Sequence, residues 1–156
     1  IPDRKILGWR IFLVMALEIT SVLYDEITEH LLDAYPNEAS GLLLGHETEF
    51  GKRATLIVRA ENSYIPEEQH HRYLITAKDV QAAETSADED GLEVMGVYHS
   101  HPDHPAEPSS FDHENALPWW SYLILSIQED RCETARCWQL TDDRSHFKEE
   151  ELLIKP

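Results

Sequence analysis

The sequence predicts an α+β protein in which a mixed β-sheet is flanked by helices. Apolar runs of strand length alternate irregularly with segments whose apolar residues recur at helical spacing. The order lacks the strict strand-helix-strand rhythm of a doubly wound parallel sheet, and no internal repeat is visible. A length of 156 residues is that of one domain with its own core. We therefore expect a single domain, which we assign to residues 15–156.

Residues 1–14 are a candidate extension outside this domain. Met15 begins the segment "MALEITSVL" and can itself be a start residue. The apolar run "IFLVMALEI" is shorter than the ~20 residues that a bilayer requires, and Glu18 interrupts it. No small-residue cleavage site of a signal peptide follows it. We therefore expect no membrane span here.

The first half of the chain predicts a strand, a helix and a strand pair. A short strand near residues 17–20 leads into a helix that Ser21 caps and Pro36 ends. Its apolar residues recur at helical spacing, namely Val22, Leu23, Ile27, Leu31 and Leu32. The segments "SGLLLGHE" and "RATLIVRAENSY" indicate neighbouring strands joined around Gly51, and "HRYLIT" indicates another strand.

The second half predicts two further helices and four strands. Thr76 and Asp79 form a capping-box pattern, which begins a helix that Gly91 ends. The segment "LEVMGVYHSH" is typical of a buried strand. Ser109 and Asp112 can begin a short helix that ends before Pro118. The segment "WWSYLILSI" indicates a strongly apolar strand, and "ARCWQL" and "EELLI" indicate weaker ones.

Charge and cysteine content restrict the partners and the compartment. Thirty acidic and thirteen basic residues give a formal net charge of -17, which repels nucleic-acid backbones and anionic membranes. We expect no nucleic-acid or membrane partner, and protein partners with neutral or basic faces. The two cysteines, Cys132 and Cys137, are too few for a disulfide framework. They are typical of thiols in a reducing compartment, so we expect a cytoplasmic protein.

The segment "YHSHPDHPAEPSSFD", residues 98–112, concentrates metal-binding side chains. His99 and His101 lie two residues apart at a strand end, so both project from one face and can share an ion. A catalytic zinc site has three protein ligands and leaves one position open. The prolines that follow carry the chain through an extended loop, and a helix beginning near Ser109 would return Asp112 to the strand end. The spacing therefore predicts a zinc site.

Hydrolysis at such a site also needs a group that moves protons and is not a ligand. A carboxylate suits this role, but spacing alone does not choose among Glu38, Glu47, Glu107 and Glu114. Glu38 is distinguished by its place at the start of the strand "ASGLLLG", where a core element would hold it rigidly.

Two segments resemble one known family. His99, His101, Ser109 and Asp112 match the JAMM (MPN+) metalloprotease signature HxHx7SxxD, and "YPNEASGLLLG" is similar to that family's segment with the catalytic glutamate. The resemblance extends from about Leu17 to Ile154 and implies a cytidine-deaminase-like α+β fold. It implies that the two histidines and Asp112 bind Zn²⁺. It also implies that Glu38 is the general acid and base, and that Ser109 stabilises the tetrahedral oxyanion.

The resemblance also implies a substrate class. The loop lacks the long insertion by which eukaryotic relatives help to recognise polyubiquitin, so the chain resembles the small prokaryotic type. Such relatives act on ubiquitin-like sulfur-carrier proteins, hydrolysing an amide bond at the carrier's C-terminal glycine. Ser40 stands where many relatives have cysteine, a difference that we expect not to affect the chemistry.

Other functions remain open at this stage. A catalytically silent MPN-type scaffold would bind a ubiquitin-like partner without cleaving it, although silent relatives lack some ligands that this chain has. The run "HSHPDH" also fits the HxHxDH pattern of metallo-β-lactamase-like hydrolases, with His104 as a ligand, but that fold needs a longer chain and further ligands downstream. Two histidines and a carboxylate can also hold iron in an oxygenase. His113 is either a partner of Asp112 or exposed to solvent.

Overall fold

The computed structural model describes residues 15–156, so the candidate extension at residues 1–14 lies outside the described residues. Seven strands, three α-helices and one 3-10 turn make up the described part. In chain order they are β1 (Ala16–Thr20), α1 (Ser21–Ala34), β2 (Ser40–Thr48), β3 (Gly51–Ala60), the 3-10 turn (Pro66–Glu68), α2 (Ala77–Glu89), β4 (Glu93–Pro102), α3 (Ser110–Asn115), β5 (Ser121–Ile127), β6 (Cys132–Leu140) and β7 (Phe147–Lys155). Each helix in this part of the chain is too short or too polar to cross a bilayer.

The strands form a closed barrel in the order β1-β3-β2-β4-β5-β6-β7. β1 closes it by pairing in parallel on both sides, with Ala16 beside Gly51 of β3 and Glu151 of β7. The expectation of a mixed sheet flanked by helices, and of a cytidine-deaminase-like α+β fold, is therefore wrong. Strands make up 42% of the described residues and helices 25%. Apolar strand patterns look the same in an open sheet and a closed one, which is why the sequence did not predict closure.

Most predicted elements are confirmed, with two corrections. The cap of α1 is Thr20 and not Ser21, because the Thr20 side chain accepts a hydrogen bond from the Leu23 backbone amide at 3.1 Å. The segment "HRYLIT" contains no strand and belongs to the loop between the 3-10 turn and α2. Its backbone is held by side chains instead, since Asn62 Nδ2 donates to the Arg72 carbonyl at 2.8 Å.

Two apolar clusters lie on opposite faces of the strands. Leu23, Ile27 and Leu31 of α1 belong to one cluster, and Ala83 and Ala87 of α2 belong to the other. The pairing of β4 with β2 is irregular at Met95, which joins the α1 cluster. Beyond this point the side chains alternate between the clusters: Val97 joins the α2 cluster and Tyr98 the α1 cluster. This alternation places His99 and His101 on the same face as Val97, beside α3 and the loop before α2.

Candidate metal centre and active site

The three predicted ligands come together at the end of β4. His99 Nε2 lies 3.2 Å from His101 Nε2 and 3.3 Å from Asp112 Oδ1, and His101 Nε2 lies 3.0 Å from Asp112 Oδ2. One donor atom from each residue lies within 4.8 Å of the other two, and all three residues are buried. Strand alternation directs the two imidazoles to one side, and the first turn of α3 brings the carboxylate to them.

The N-terminus of α3 positions Asp112. Its backbone amide donates to Ser109 Oγ at 3.1 Å, while its carboxylate accepts a hydrogen bond from the Ser109 amide at 2.8 Å. This reciprocal pair is a capping box, and it fixes the helix end and the ligand together. The loop between β4 and α3 contributes as well, because His101 Nδ1 donates to the Pro105 carbonyl at 2.8 Å. Such a bond fixes the ring and leaves Nε2 free to bind a cation.

The ring of His99 is held by a residue that sequence analysis missed. Tyr73 stacks on it with ring centroids 4.5 Å apart and an interplanar angle of 28°. Sequence analysis placed Tyr73 in a strand, and no local pattern links it to a histidine 26 positions later. His99 Nδ1 is buried and has no hydrogen-bond partner.

The charge states of the ligands suit a cation. Burial raises the pKa of Asp112, but the charges of His99 and the hydrogen bonds from both histidines outweigh it and hold this pKa well below its usual range. Burial lowers the pKa of His99, and the charge of Asp112 opposes this effect. For His101 the effect of burial is exceeded by the hydrogen bond and charge of Asp112, so its pKa is raised. A metal must therefore displace a proton from His101 more often than from His99.

Glu38 lies at the wall of a cavity of about 570 Å³, which His101 and Ser109 also line. Glu38 is 6% exposed. The other three candidates for the proton-transfer group, Glu47, Glu107 and Glu114, are all exposed. Burial raises the pKa of Glu38 to about 8; the Asp112 charge raises it further and the His101 charge lowers it. The carboxyl group therefore changes its protonation near neutral pH.

Two residues of the segment between β3 and α2 hold the backbone of Glu38, Gln69 through its backbone carbonyl and Asn62 through its side chain. The Glu38 amide donates to the Gln69 carbonyl at 2.7 Å, and the Glu38 carbonyl accepts from Asn62 Nδ2 at 3.0 Å. Gln69 Nε2 in turn donates to the Asn62 carbonyl at 2.9 Å. Sequence analysis did not identify Asn62 or Gln69, because a polar residue in a loop carries no signal of the distant backbone that it binds.

His104, His113 and Asp103 lie outside the ligand group, which consists of His99, His101 and Asp112. Asp103 accepts a hydrogen bond from Tyr35 Oη at 2.7 Å, and His113 Nε2 donates to the Arg144 carbonyl at 2.6 Å. His104 lines the cavity without joining the ligands. Within residues 15–156, His99, His101 and Asp112 form the one group of three or more side chains whose donor atoms converge. His104 is therefore not a ligand in this part of the chain, as the metallo-β-lactamase-like interpretation of "HSHPDH" required.

Comparison with protein families identifies the family of this chain. A sequence profile described as prokaryotic homologs of the JAB domain matches residues 20–141, more than three quarters of the chain. The chain belongs to this family. The resemblance to the JAMM (MPN+) family is thereby confirmed at the level of the JAB/MPN domain, and the matched range spans the positions of the five predicted site residues.

Solved structures of similar proteins include two from bacteria. The JAB-domain chain is 42% identical to a protein from Salinibacter ruber (strain DSM 13855), with a TM-score of 0.69, and the match covers 89% of this chain and 91% of that one. It is 26% identical to a protein from Desulfitobacterium hafniense, with a TM-score of 0.78 and coverage of 89% and 92%. A comparison with curated proteins finds no match.

A third solved structure is similar in fold. It is a JAB1/MPN domain protein from Archaeoglobus fulgidus, with 19% identity, a TM-score of 0.53 and coverage of 88% of this chain and 96% of that one. At this identity the similarity concerns the fold alone. It places the seven-stranded barrel of the JAB-domain chain among JAB1/MPN folds.

The ligand group can hold a metal ion. It offers two imidazole nitrogens and a carboxylate oxygen, all buried, with one ligand lining an open cavity. Three protein ligands and an accessible fourth side are the arrangement of catalytic zinc sites. The hydrogen bond from His101 to Pro105 adds the outer support that metal-binding histidines usually have.

Proposed function

We propose that this JAB-domain protein is a zinc-dependent metallopeptidase or isopeptidase. Its substrate is an amide bond, at the C-terminal glycine of a ubiquitin-like or sulfur-carrier protein. The observation that carries the proposal is a buried carboxyl group, Glu38, which is not a ligand and lines the same cavity as the ligand His101. A binding scaffold has no need of such a group, because a buried acid beside an ionised carboxylate destabilises the fold.

Zinc fits the donor set of two nitrogens and one oxygen, although iron uses the same set in oxygenases. When bound, zinc supplies a Lewis acid and a water of lowered pKa. The JAMM resemblance favours zinc over iron. Two unpaired thiols, Cys132 and Cys137, support a reducing compartment, and we assign the protein to the cytoplasm.

Glu38 would transfer the proton, and Ser109 would stabilise the oxyanion. The pKa of Glu38, about 8 without metal, suits a group that accepts a proton and later delivers it to the leaving amine; a cation nearby would lower this pKa. Ser109 is exposed at the cavity, and its oxygen already accepts a hydrogen bond from the Asp112 amide. The Ser109 hydroxyl hydrogen is therefore free to donate to a developing oxyanion.

Metal analysis and one matched pair of variants test this proposal. We expect elemental analysis to show about one zinc per chain, which His99→Ala removes. The substrate is a sulfur-carrier protein extended by one amino acid beyond its C-terminal glycine, and the products are measured by mass. Glu38→Gln should keep zinc and lower turnover by about 10²–10⁴-fold. Glu114→Gln, the same change at an exposed residue lining the same cavity, should keep turnover.

The outcomes separate the alternatives. Full activity of Glu38→Gln would remove Glu38 from the proposed mechanism. A zinc-loaded wild type that binds the carrier but cleaves nothing would support the silent scaffold. Iron in place of zinc would support the oxygenase alternative.

A further inference from the structure

The two histidine ligands differ in what holds the second nitrogen of each ring. His101 Nδ1 donates to the Pro105 carbonyl at 2.8 Å. His99 Nδ1 has no hydrogen-bond partner, and the whole residue is inaccessible to solvent. Histidines that bind a metal almost always donate the other ring N–H to an acceptor, because this bond fixes the tautomer and directs the ligand nitrogen. His99 therefore needs an acceptor that the pairs formed in this structure do not supply.

One side chain fits this need. Within the described residues, Ser40 Oγ is the only other buried side-chain oxygen or nitrogen without a partner. Ser40 and His99 are register partners in the antiparallel pair of β2 and β4. Directly opposite residues project from the same face, with Cβ atoms about 4.5–5.5 Å apart. The two unsatisfied atoms therefore belong to facing side chains.

The neighbouring pair confirms which face this is. Gly41 and Tyr98 are the next register partners, and a Cβ at Gly41 would collide with the Tyr98 ring. Tyr98 belongs to the α1 cluster, so Ser40 and His99 face the other side, where the ligand group lies. Tyr73 covers one flat side of the His99 ring, which leaves the ring edge as the route to Nδ1.

We propose that Ser40 is a positioning residue, whose hydroxyl oxygen accepts the hydrogen bond from His99 Nδ1–H when Nε2 is directed at the metal. Rotation of the short Ser40 side chain makes this bond directly, and a single bridging water gives the same tautomer. The role contrasts with the expectation that the serine at this position does not affect the chemistry. It rests on the metal site of the proposed function and does not depend on hydrolysis.

A hydroxyl is suited to this position because it both donates and accepts. In the metal-free site a proton on His99 Nε2 is satisfied by Asp112 Oδ1 at 3.3 Å, and Ser40 can then donate to the bare Nδ1. When Nε2 becomes a ligand, its proton leaves to solvent, Nδ1 takes one up, and Ser40 accepts. After rotation of its side chain, serine can thus satisfy His99 in both states, whereas alanine can satisfy it in neither.

Zinc affinity, measured by competition with a chromogenic chelator, tests this role without any substrate. We expect Ser40→Ala to weaken zinc binding by about 10–100-fold. Ser40→Cys keeps a side chain of similar size with a weaker acceptor and should lie between Ser40→Ala and wild type. Thr28→Ala is the control, since it also removes a hydroxyl but lies on α1, away from the ligand group; its zinc affinity should equal that of wild type.

Nitrogen NMR of the histidine rings in the zinc-loaded wild type supplies a second readout that needs no variant to fold. We expect Nδ1 of His99 to carry a proton protected from exchange. Unchanged zinc affinity in Ser40→Ala, or coordination of zinc through His99 Nδ1, would overturn the role of Ser40. A wild type that binds no zinc would overturn the metal site as well. A wild type that binds zinc without hydrolysing the carrier would refute only the proposed function.

Discussion

At the scale of single residues, Glu38 is where stability and the proposed function conflict most clearly. Its carboxyl group is buried beside Asp112, which stays ionised because both histidines interact with it. Burial and this neighbouring charge both favour the neutral acid, which accounts for a pKa of about 8. The backbone bonds to Asn62 and Gln69 keep the residue in place despite this cost. Strongly shifted pKa values of this kind cluster at functional sites.

The raised pKa of Glu38 predicts a pH dependence of folding stability in the metal-free protein. Between the unfolded value of 4.5 and about 8, the folded state holds more protons than the unfolded state, so the free energy of unfolding falls as pH rises. From pH 6 to pH 8, wild type should lose roughly 2 kcal/mol relative to Glu38→Gln, and little more above pH 9. Urea unfolding of both proteins in chelator measures this difference. If the free energies of unfolding of wild type and Glu38→Gln changed with pH in the same way, the raised pKa of Glu38 would be contradicted.

At the scale of elements, two helices begin with the same capping box, but only one of them contains a ligand. In α2, Thr76 and Asp79 form two reciprocal hydrogen bonds. The Asp79 amide donates to Thr76 Oγ1 at 3.2 Å, and the Asp79 carboxylate accepts from the Thr76 amide at 2.7 Å. In α3, Ser109 and Asp112 do the same. The local pattern is therefore a folding signal in both helices and a functional signal in one.

This pair of helices predicts a separation of stability from metal binding. Ser109→Ala and Thr76→Ala each remove a cap, so each should lower the free energy of unfolding by about 1 kcal/mol. Only Ser109→Ala should also weaken zinc binding, because the Ser109 side chain orients the turn that carries Asp112. Ser109→Asn keeps a capping side chain without the hydroxyl, and should restore stability and zinc affinity but not turnover. Equal zinc affinity for Ser109→Ala and Thr76→Ala would contradict this.

The elements that local patterns determine were predictable from the sequence. The capping residues of α2 and α3 and the alternation that puts His99 and His101 on one face are local properties, and the structure has all of them. The segment "HRYLIT" was predicted wrongly, because the Asn62 side chain binds the Arg72 carbonyl and competes with strand pairing. Tyr73 was missed for the same reason, since its contact with His99 depends on that loop.

At the scale of the whole molecule, closure of the barrel depends on pairing between the two ends of the described chain. Ala16 of β1 lies beside Glu151 of β7, more than 130 positions away along the sequence. Strand alternation determines which side chains face the core, but it carries no signal of which strand is the neighbour. The ligand group was predictable because strand alternation and one helix cap determine it, whereas the barrel was not.

The closed shape brings together a buried polar network from strands that are not neighbours. Lys52 of β3 donates to Ser121 Oγ of β5 at 3.0 Å, and Ser121 donates to Glu150 of β7 at 2.6 Å. All three residues are buried, and burial lowers the pKa of Lys52 while the charge of Glu150 opposes that effect. In the strand order β3, β5 and β7 are separated by other strands, so the network crosses the barrel and does not follow one ladder.

This network predicts a large and non-additive effect on stability. Lys52→Met should lower the free energy of unfolding by about 3–5 kcal/mol, because it leaves Glu150 buried without its cationic partner. Adding Glu150→Gln removes the uncompensated charge, so the double variant should recover much of that loss. Arg131→Met breaks the exposed pair with Asp130 and should have no measurable effect. Urea unfolding of wild type, Lys52→Met, Glu150→Gln and the double variant gives the coupling energy. A Lys52→Met variant as stable as Arg131→Met would show that β3 and β7 are held together by backbone pairing and apolar packing alone.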